Sequence, residues 1–192
     1  MNKNILELRI FMQLEYETKR LSLRVCNYEN AEQVLRFLER NRAVFEPWEA
    51  LHSPYFYTTD YQTRTLDAEF KLTLQTRHVR YYLFLKDNPN EIIGTVCFSN
   101  IHHADDKSCR LGYKIASAHQ RNGYAKEALT CLIPMLHEEF GLHRIEADIM
   151  PTNEPSLRLV ESLGFLYEGI ARSSHEICGS WRDHARYALI LS

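Results

Sequence analysis

Seven stretches of the chain have the alternating or short apolar pattern of β-strands, and four have the spacing of amphipathic helices. The predicted strands cover residues 21–25, 80–85, 91–98, 108–116, 144–149, 165–172 and 181–191. The predicted helices begin near residues 31, 61, 125 and 153. The resulting order, β-α-α-βββ-α-β-α-ββ, predicts an α/β (mixed α+β) fold in one domain, with an antiparallel meander in its centre.

Local signals predict where these helices begin and end. Asn30 is expected to cap the first helix, with Gln33 as the return partner of a capping box. Asn153 is expected to cap the fourth helix, and Gly164 to end it. Pro134 lies inside the third helix and should kink it or mark where its apolar pattern loosens.

Residues 41–61 interrupt the regular pattern. They contain two prolines and six aromatic residues, and they are predicted to form a loop too long for a plain connector. Two interpretations stay open, because aromatic rings serve both packing and recognition. The segment is either a satellite hydrophobic cluster or a lid that faces a substrate through Trp48 and Tyr55.

The chain of 192 residues and 22.6 kDa fits a single domain with a sizeable core. We expect that domain to span residues 18–192, after an N-terminal extension, residues 1–17, that is poorly ordered. Met12 is an alternative start. The net charge of −2 and the pI near 6.5 argue against direct binding of nucleic acid through a basic surface.

Other classes of protein are also disfavoured. No apolar run approaches the length of about 18 residues that a membrane span needs, and no secretory signal is apparent. The five cysteines are scattered, without a C-x-x-C pair, which is typical of reduced thiols in a cytoplasmic protein. No H-E-x-x-H or similar spacing appears, so no metal site is expected.

The stretch Gln120-Arg121-Asn122-Gly123-Tyr124-Ala125 connects a predicted strand to a predicted helix. This order directs several backbone N–H groups at the helix N-terminus one way, which is a ready site for phosphate. The spacing fits neither the nucleotide P-loop nor the dinucleotide fingerprint. Taken alone, the stretch is either a phosphate loop or a purely structural connection.

With both strand–loop–helix units in place, the chain resembles the GCN5-related N-acetyltransferases (GNAT), and more narrowly the RimJ/RimL-type ribosomal-protein N-terminal acetyltransferases. The resemblance covers residues 18–191. The residues that carry it are Thr18-x-Arg20-Leu21-x-Leu23-Arg24, Asn41 to Pro47-Trp48, Ile93-Gly94, Leu111-Gly112-Tyr113, Gln120-x-x-Gly123-x-Ala125, Glu127-Ala128-Leu129, His143-Arg144, Asn153-x-x-Ser156, Leu163-Gly164-Phe165-x-x-Glu168-Gly169 and Gly179-x-Trp181-x-Asp183-His184.

The resemblance implies a GNAT fold whose mostly antiparallel sheet splays apart between the strands ending near Ile115 and Ile149. It implies acetyl-CoA as cosubstrate, with its pyrophosphate on the amides of residues 121–126. The resemblance then explains why position 123 is glycine, because a side chain there would keep phosphate away from the backbone. The cofactor-binding residues implied are Ile115, Ser117, Gln120, Arg121, Asn122, Gly123, Tyr124, Ala125, Lys126, Asn153 and Ser156.

The resemblance also implies the catalytic roles. Many members of the superfamily carry a tyrosine acid where this chain has Val160, and in the RimL-like branch the serine at Ser156 is proposed instead. Capping of the helix is the alternative role for Asn153 and Ser156. Candidates for the general base are Glu176, Glu146 and His175, with Glu176 preferred because it lies on the late hairpin where the acceptor should enter.

Two other groups are expected to play structural parts. Glu127 suits the start of a helix, where a carboxylate is stabilised by the helix dipole. Cys109 and Cys131 fall in core patterns, so buried neutral thiols are expected rather than a covalent acetyl carrier.

The sequence therefore predicts a cytoplasmic, acetyl-CoA-dependent N-acetyltransferase acting on a protein N-terminal α-amine, as a monomer or homodimer. Two alternatives stay open. One is an acetyltransferase for small amines such as an antibiotic or a polyamine, and the other is a non-catalytic acyl-CoA-binding module.

Overall fold

Eight strands form one mixed sheet in the computed structural model, which describes residues 13–191. The spatial order is β1-β2-β3-β4-β5-β6-β8-β7, and every neighbouring pair is antiparallel except β5 and β6. The mixed, mostly antiparallel sheet predicted from the sequence is confirmed. The strands are β1 Glu15–Glu17, β2 Leu21–Val25, β3 Val79–Leu85, β4 Asn88–Ser99, β5 Ser108–Ile115, β6 Arg144–Ile149, β7 Leu166–Ile177 and β8 Ser180–Ile190.

Helices cover both faces of this sheet. Those in residues 13–191 are α1 Ala31–Arg40, α2 Arg42–Phe45, α3 Thr59–Leu74, α4 Tyr124–Glu138 and α5 Glu154–Ser162. Alternation along β3 divides the core: Tyr81 packs in the cluster that contains α4, and Tyr82 in the cluster that contains α1 and Leu66 of α3. No helix in this part of the chain is long and apolar enough to cross a membrane.

The first turn before α1 differs from the prediction. The capping box expected at Asn30 and Gln33 is wrong, because Asn30 makes no side-chain cap for α1. Asn27 accepts from the Glu29 amide instead, and the Asn30 side chain accepts from the Asn27 amide. Gln33 donates to the Asn90 carbonyl across to the sheet. The same residue types thus cap a short 3₁₀ turn that precedes the helix.

Two further segments contain more structure than expected. Glu15–Glu17, within the predicted extension, pairs with β2, while residues 1–12, including Met12, lie outside the described residues. The start of the aromatic segment is helical, with α2 followed by the 3₁₀ turn Glu46–Trp48 that has Pro47 in its first turn. Proline fits there because it has no N–H to leave unpaired.

The later helices end as predicted. The Asn153 side chain accepts from the Ser156 amide and caps α5. After this helix, Gly164 adopts a φ of +89°, and Phe165 N–H donates to the Val160 carbonyl, as in a Schellman motif. Pro134 lies inside α4, which continues through it to Glu138.

The parallel pair β5–β6 separates after a short start. Only three residue pairs join the strands, and the last is Arg110 with Glu146. Beyond it β5 pairs with β4 alone as far as Ile115, and β6 pairs with β8 alone as far as Ile149. The predicted splay between these two strand ends is therefore present, and it opens a gap in the middle of the sheet.

A partly buried ion pair ties α3 to the sheet. Arg80 in β3 donates two hydrogen bonds, of 2.9 and 2.8 Å, to the carboxylate of Glu69. His78 lies 3.5 Å from the same carboxylate. Burial alone would raise the pKa of Glu69, but Arg80 and His78 outweigh it and lower the pKa to about 2.

We expect Glu69→Gln to lower the free energy of unfolding at pH 7 by about 2 kcal/mol, because Arg80 would stay partly buried and charged without its partner. The folded pKa lies below the unfolded value, so this contribution is complete above pH 4.5 and is lost as pH falls toward 2. Urea denaturation should therefore show the difference between wild type and variant shrinking from pH 5 to pH 3.

The control is Asp67→Asn on the same helix, which removes the exposed pair with Lys71 and should cost less than about 0.5 kcal/mol. A difference for Glu69→Gln that stays constant across this pH range would contradict the assignment.

Candidate active site

Two cavities share lining residues beside the end of β5. The first, here the splay cavity, has a volume of about 510 Å³ and lies where β5 and β6 part. It is lined by nine of the predicted cofactor-binding residues: Ile115, Gln120, Arg121, Gly123, Tyr124, Ala125, Lys126, Asn153 and Ser156. Both strand–loop–helix units of the sequence therefore border one cavity.

The loop before α4 presents unpaired backbone donors to this cavity. Within the described residues, the N–H groups of residues 123–126 donate to no protein acceptor, as expected for the first turn of a helix. Gly123 is the residue before the helix and has a φ of +79°, a conformation that favours glycine. The geometry is that of an anion site at a helix N-terminus.

A charged brace holds this loop from outside the cavity. Glu127, in the first turn of α4, accepts hydrogen bonds from the Thr18 hydroxyl at 2.6 Å and from the Arg20 backbone and guanidinium at 2.8 and 2.7 Å. Arg20 also donates to the Asn122 carbonyl at 3.0 Å and lies over the ring of Tyr124. Glu127 is structural, as predicted, and the Thr18-x-Arg20 motif supports the loop.

Two predicted cofactor-binding residues do not line the splay cavity. The Ser117 amide donates to the buried side chain of Asn41 at 2.9 Å, which ties the loop to the end of α1. The Asn122 side chain donates to the carbonyls of His119 and Gln120 within the loop itself. The Ser117 amide and the Asn122 side-chain amide therefore stabilise the loop and do not face the cavity.

Ser156 lies in the first turn of α5 and borders the splay cavity. Its amide donates to the Asn153 side chain, so Asn153 caps the helix as expected. The Ser156 hydroxyl has no protein partner among the described hydrogen bonds. Tyr113 of β5 crosses the gap and donates to the Ser156 carbonyl at 3.3 Å. Burial raises the pKa of Tyr113 to about 12, so the phenol stays protonated at neutral pH.

The second cavity, here the aromatic cavity, has a volume of about 680 Å³ and lies between α1, α3, the segment 48–56 and the late hairpin. A row of three side chains on adjacent strands, Tyr82, Thr95 and Lys114, lines it from the sheet. Trp48 and Phe56 line it from the segment that the sequence marked as aromatic.

Of the two residues predicted to face a substrate, Trp48 lines both cavities and Tyr55 lines neither. Tyr55 is 71% exposed and does not line either cavity, while its neighbour Phe56 turns inward and stacks on His52 with ring centroids 3.7 Å apart. Phe45 and Phe56 also pack in the second core cluster. The segment is therefore both a hydrophobic cluster and a cavity wall, which joins the two interpretations.

The two cavities share three lining residues, Trp48, Glu49 and Lys114. Glu49 accepts from Lys114 through one carboxylate oxygen and is 2.8 Å from His52 Nε2 through the other. Burial would raise the pKa of Glu49, but Lys114 and His52 outweigh it and hold the pKa below its usual range. A carboxylate that is ionised at neutral pH therefore lies where the cavities join.

Two of the three candidates for the general base line the aromatic cavity, and the third lines neither cavity. Glu176 and His175 of β7 line the aromatic cavity, and the Glu176 side chain is exposed. Burial and the neighbouring His184 lower the pKa of His175, which leaves its imidazole neutral at pH 7. Glu146 borders neither cavity and is paired with Arg144 at 2.9 Å.

Neither cysteine that was considered as an acetyl carrier is placed for that role. Cys109 is buried and Cys131 is partly buried, and neither lines a cavity. Burial raises the pKa of both thiols, which keeps them protonated and unreactive. No group of three or more potential metal ligands occurs among residues 13–191.

Sequence reasoning missed Glu49, Lys114, Tyr113 and Thr95. Glu49 directly follows the Pro47-Trp48 pair, so that motif pointed at the right loop. Lys114 alternates with Tyr113 and Ile115 on β5, and period two alone placed it on the opposite face from the core. What joins these residues is the approach of the loop to the sheet, which no local pattern encodes.

Comparison with known proteins identifies the class. The acetyltransferase (GNAT) domain family matches residues 20–166. The [ribosomal protein uS5]-alanine N-acetyltransferase of Escherichia coli is 33% identical over 174 residues, which covers 90% of this chain and 88% of that protein. A probable N-acetyltransferase of Bacillus subtilis, YjcK, is 30% identical over 172 residues, with 90% and 94% covered.

A solved structure agrees with these relatives. The ribosomal-protein-S5-alanine acetyltransferase of Vibrio fischeri has a TM-score of 0.88 and 29% identity, covering 93% of this chain and 97% of that one. This chain belongs to the GNAT acetyltransferase family. Within that family it is similar to the RimJ/RimL-type enzymes, as the sequence predicted, and it is an N-acetyltransferase.

Gly94 of β4 sets the close approach of the strand that carries Lys114. A Cβ at this position would lie 2.6 Å from Ile115 Cδ1 and 2.8 Å from the Lys114 carbonyl oxygen. Contacts this short require the backbone of β5 to move, so glycine is needed beside both cavities.

We expect Gly94→Ala to lower the free energy of unfolding by about 1–3 kcal/mol, measured by guanidinium denaturation. Gly112→Ala on the neighbouring strand is the matched control, because a Cβ there meets nothing within 4 Å. It should change stability by less than about 0.5 kcal/mol. Equal losses for the two variants would refute the steric explanation.

Proposed function

We propose that this protein transfers an acetyl group from acetyl-CoA to the α-amine of a protein N-terminus. The observation that carries the proposal is the junction at Trp48, Glu49 and Lys114, where the splay cavity meets the aromatic cavity. A thioester in the first cavity and an amine in the second would come into contact there.

The splay cavity fits coenzyme A in its chemistry. The free amides of residues 123–126 suit a pyrophosphate, and Arg121 and Lys126 add positive charge at the cavity wall. The strand edges exposed beyond Arg110 and Glu146 offer backbone groups to the amides of a pantetheine arm. Acetyl-CoA would supply the acetyl group in activated form, as a thioester.

The aromatic cavity supports a peptide acceptor. Its volume of about 680 Å³ accommodates the first residues of a chain, and it opens beside the late hairpin. Two of the similar proteins are named for an alanine of a ribosomal protein. The aromatic lining also suits a flat or apolar small amine, which is the alternative acceptor class.

Two residues are assigned to the two proton transfers of the reaction, one from the amine and one to the leaving thiolate. Attack requires a neutral amine, and an α-amine with a pKa of about 8 is partly neutral at pH 7, whereas a lysine at about 10.4 is mostly charged. The nitrogen–carbon bond forms as the carbon–sulfur bond breaks. Glu176 takes the proton that the amine loses. The Ser156 hydroxyl gives a proton to the leaving thiolate and is reprotonated from solvent, so an amide and a free thiol are the net products.

We also infer a cytoplasmic location. Cys26, Cys97, Cys109, Cys131 and Cys178 are all free, which supports a reducing compartment.

The first test is acetylation itself. Purified protein should bind acetyl-CoA in calorimetry and release free thiol when peptides with a neutral N-terminal residue are added. Gly123→Glu should abolish acetyl-CoA binding, because the position needs a φ of +79° and a Cβ there would lie 3.6 Å from Arg20 Nη2, in the brace that holds the loop. The same change at the other end of α4, Gly141→Glu, also adds a side chain at positive φ, but with nothing within 4 Å. It should keep binding. Loss of binding in both variants, or in neither, would count against the phosphate site.

A second test addresses Ser156. We expect Ser156→Ala to lower kcat by about 10²-fold or more while the dissociation constant of acetyl-CoA changes little, because only proton transfer is lost. Ser162→Ala at the end of the same helix is the control, since its hydroxyl donates to the Leu159 carbonyl away from both cavities. Equal kcat values for wild type and Ser156→Ala would remove Ser156 from the mechanism.

A further inference from the structure

The junction of the two cavities contains a carboxylate with unused hydrogen-bonding capacity. Glu49 has about four lone-pair directions on its two oxygens. Lys114 uses one, and His52 uses another at 2.8 Å. Glu49 has no further side-chain donor within the described residues, so two acceptor positions stay open beside the cavities.

The surroundings fix this carboxylate in place. His52 is stacked on Phe56, which holds the imidazole against Glu49. The Glu49 backbone carbonyl accepts from the Cys178 amide at 3.1 Å, which ties the loop to the turn between β7 and β8. A second contact, from the Cys178 thiol to the Glu46 carbonyl at 3.1 Å, supports the same attachment. Glu49 is therefore positioned before any acceptor enters.

We propose that Glu49 binds the amine of the acceptor and orients its nitrogen toward the splay cavity, which makes it an acceptor-binding residue of the acetyl transfer. This inference rests on the proposed function. One open lone pair accepts an N–H of the amine, so the lone pair of the nitrogen is left to face the thioester. The ligand class is a primary amine small enough at its first carbon to reach between Trp48 and Lys114.

The electrostatics favour orientation over proton abstraction. Glu49 and Lys114 together carry no net charge, so the pair accepts an N–H bond without strongly favouring the protonated ammonium. The depressed pKa of Glu49 makes it a weak base for an amine with a pKa of about 8. Glu49 thus holds the amine, while the exposed Glu176, which lines the same cavity, stays available for the proton.

The test is a charge-balanced set of variants assayed with an N-terminal peptide: Glu49→Gln, Lys114→Met and the double variant. Glu49→Gln should raise the KM for the peptide about ten- to hundredfold, because a hydrogen bond to a charged group is lost. The KM for acetyl-CoA should stay within about twofold. The double variant should remain as impaired as Glu49→Gln, since neutralising Lys114 does not restore the acceptor for the amine.

A structural role for Glu49 gives the opposite pattern. If Glu49 only neutralises Lys114, the double variant regains the wild-type KM for the peptide, and the proposal is overturned. Glu91→Gln is the matched control, because Glu91 is an exposed carboxylate that lines neither cavity and pairs with Arg40. It should leave both KM values unchanged.

The outcomes also separate the two proposals. If the wild-type protein acetylates no peptide, the proposed acceptor class is refuted, and the assignment of Glu49 is refuted with it. Active wild-type protein with an unchanged peptide KM in Glu49→Gln would overturn the Glu49 assignment alone.

Discussion

The parting of β5 from β6 is the constraint on which the site depends. Two parallel strands that stayed paired would close the sheet and leave no gap. Each strand is instead held on its outer side, β5 by pairing of Ile115 with Gly94 and β6 by pairing of Ile149 with Ala185. Across the gap, Tyr113 donates to the Ser156 carbonyl, and Arg110 of β5 lies 3.4 Å from the carboxylate of Asp148 in β6. The strands can therefore diverge without leaving the sheet, because each keeps one complete ladder.

The loop at this gap combines open donors with a rigid support. Unpaired backbone N–H groups are costly when buried, and they persist here because the cavity exposes them. The brace from Arg20 to Glu127 and Asn122 lies on the other side of the loop. The support thus fixes the amides in a preorganised array and uses none of them, which is the arrangement that favours a bound anion.

The sequence predicted well what local pattern determines. The strand Arg144–Ile149 alternates along its whole length, and its core face is buried as period two requires. The start of helix α4 was placed within one residue, because its apolar spacing begins at Ala125 and the helix at Tyr124. Asn153 and Gly164 marked α5 because capping depends on neighbouring residues alone. The splay between β5 and β6 followed only from the family resemblance.

Tertiary contacts determined what the sequence did not predict. Glu15–Glu17 is a strand because β2 offers it a partner, and three residues carry no periodic signal. Asn27 displaced Asn30 as a cap because a 3₁₀ turn precedes α1, and both residues suit the role. Tyr55 and Phe56 were indistinguishable as aromatic neighbours until the packing on His52 selected Phe56.

The two halves of the site differ in how they are built, and this explains why one was easier to predict. The phosphate end of the splay cavity uses backbone amides of one continuous loop, so a short stretch of sequence made it a candidate that the second unit at Asn153 and the family resemblance then supported. The aromatic cavity uses side chains from separate elements, and Glu49 reaches it through contacts with Lys114 and Cys178, which are 65 and 129 residues away in sequence. A surface assembled in this way can change its acceptor by substitution of side chains while the backbone that holds the donor stays the same. Relatives with one donor site and different acceptors are the expected result of that division.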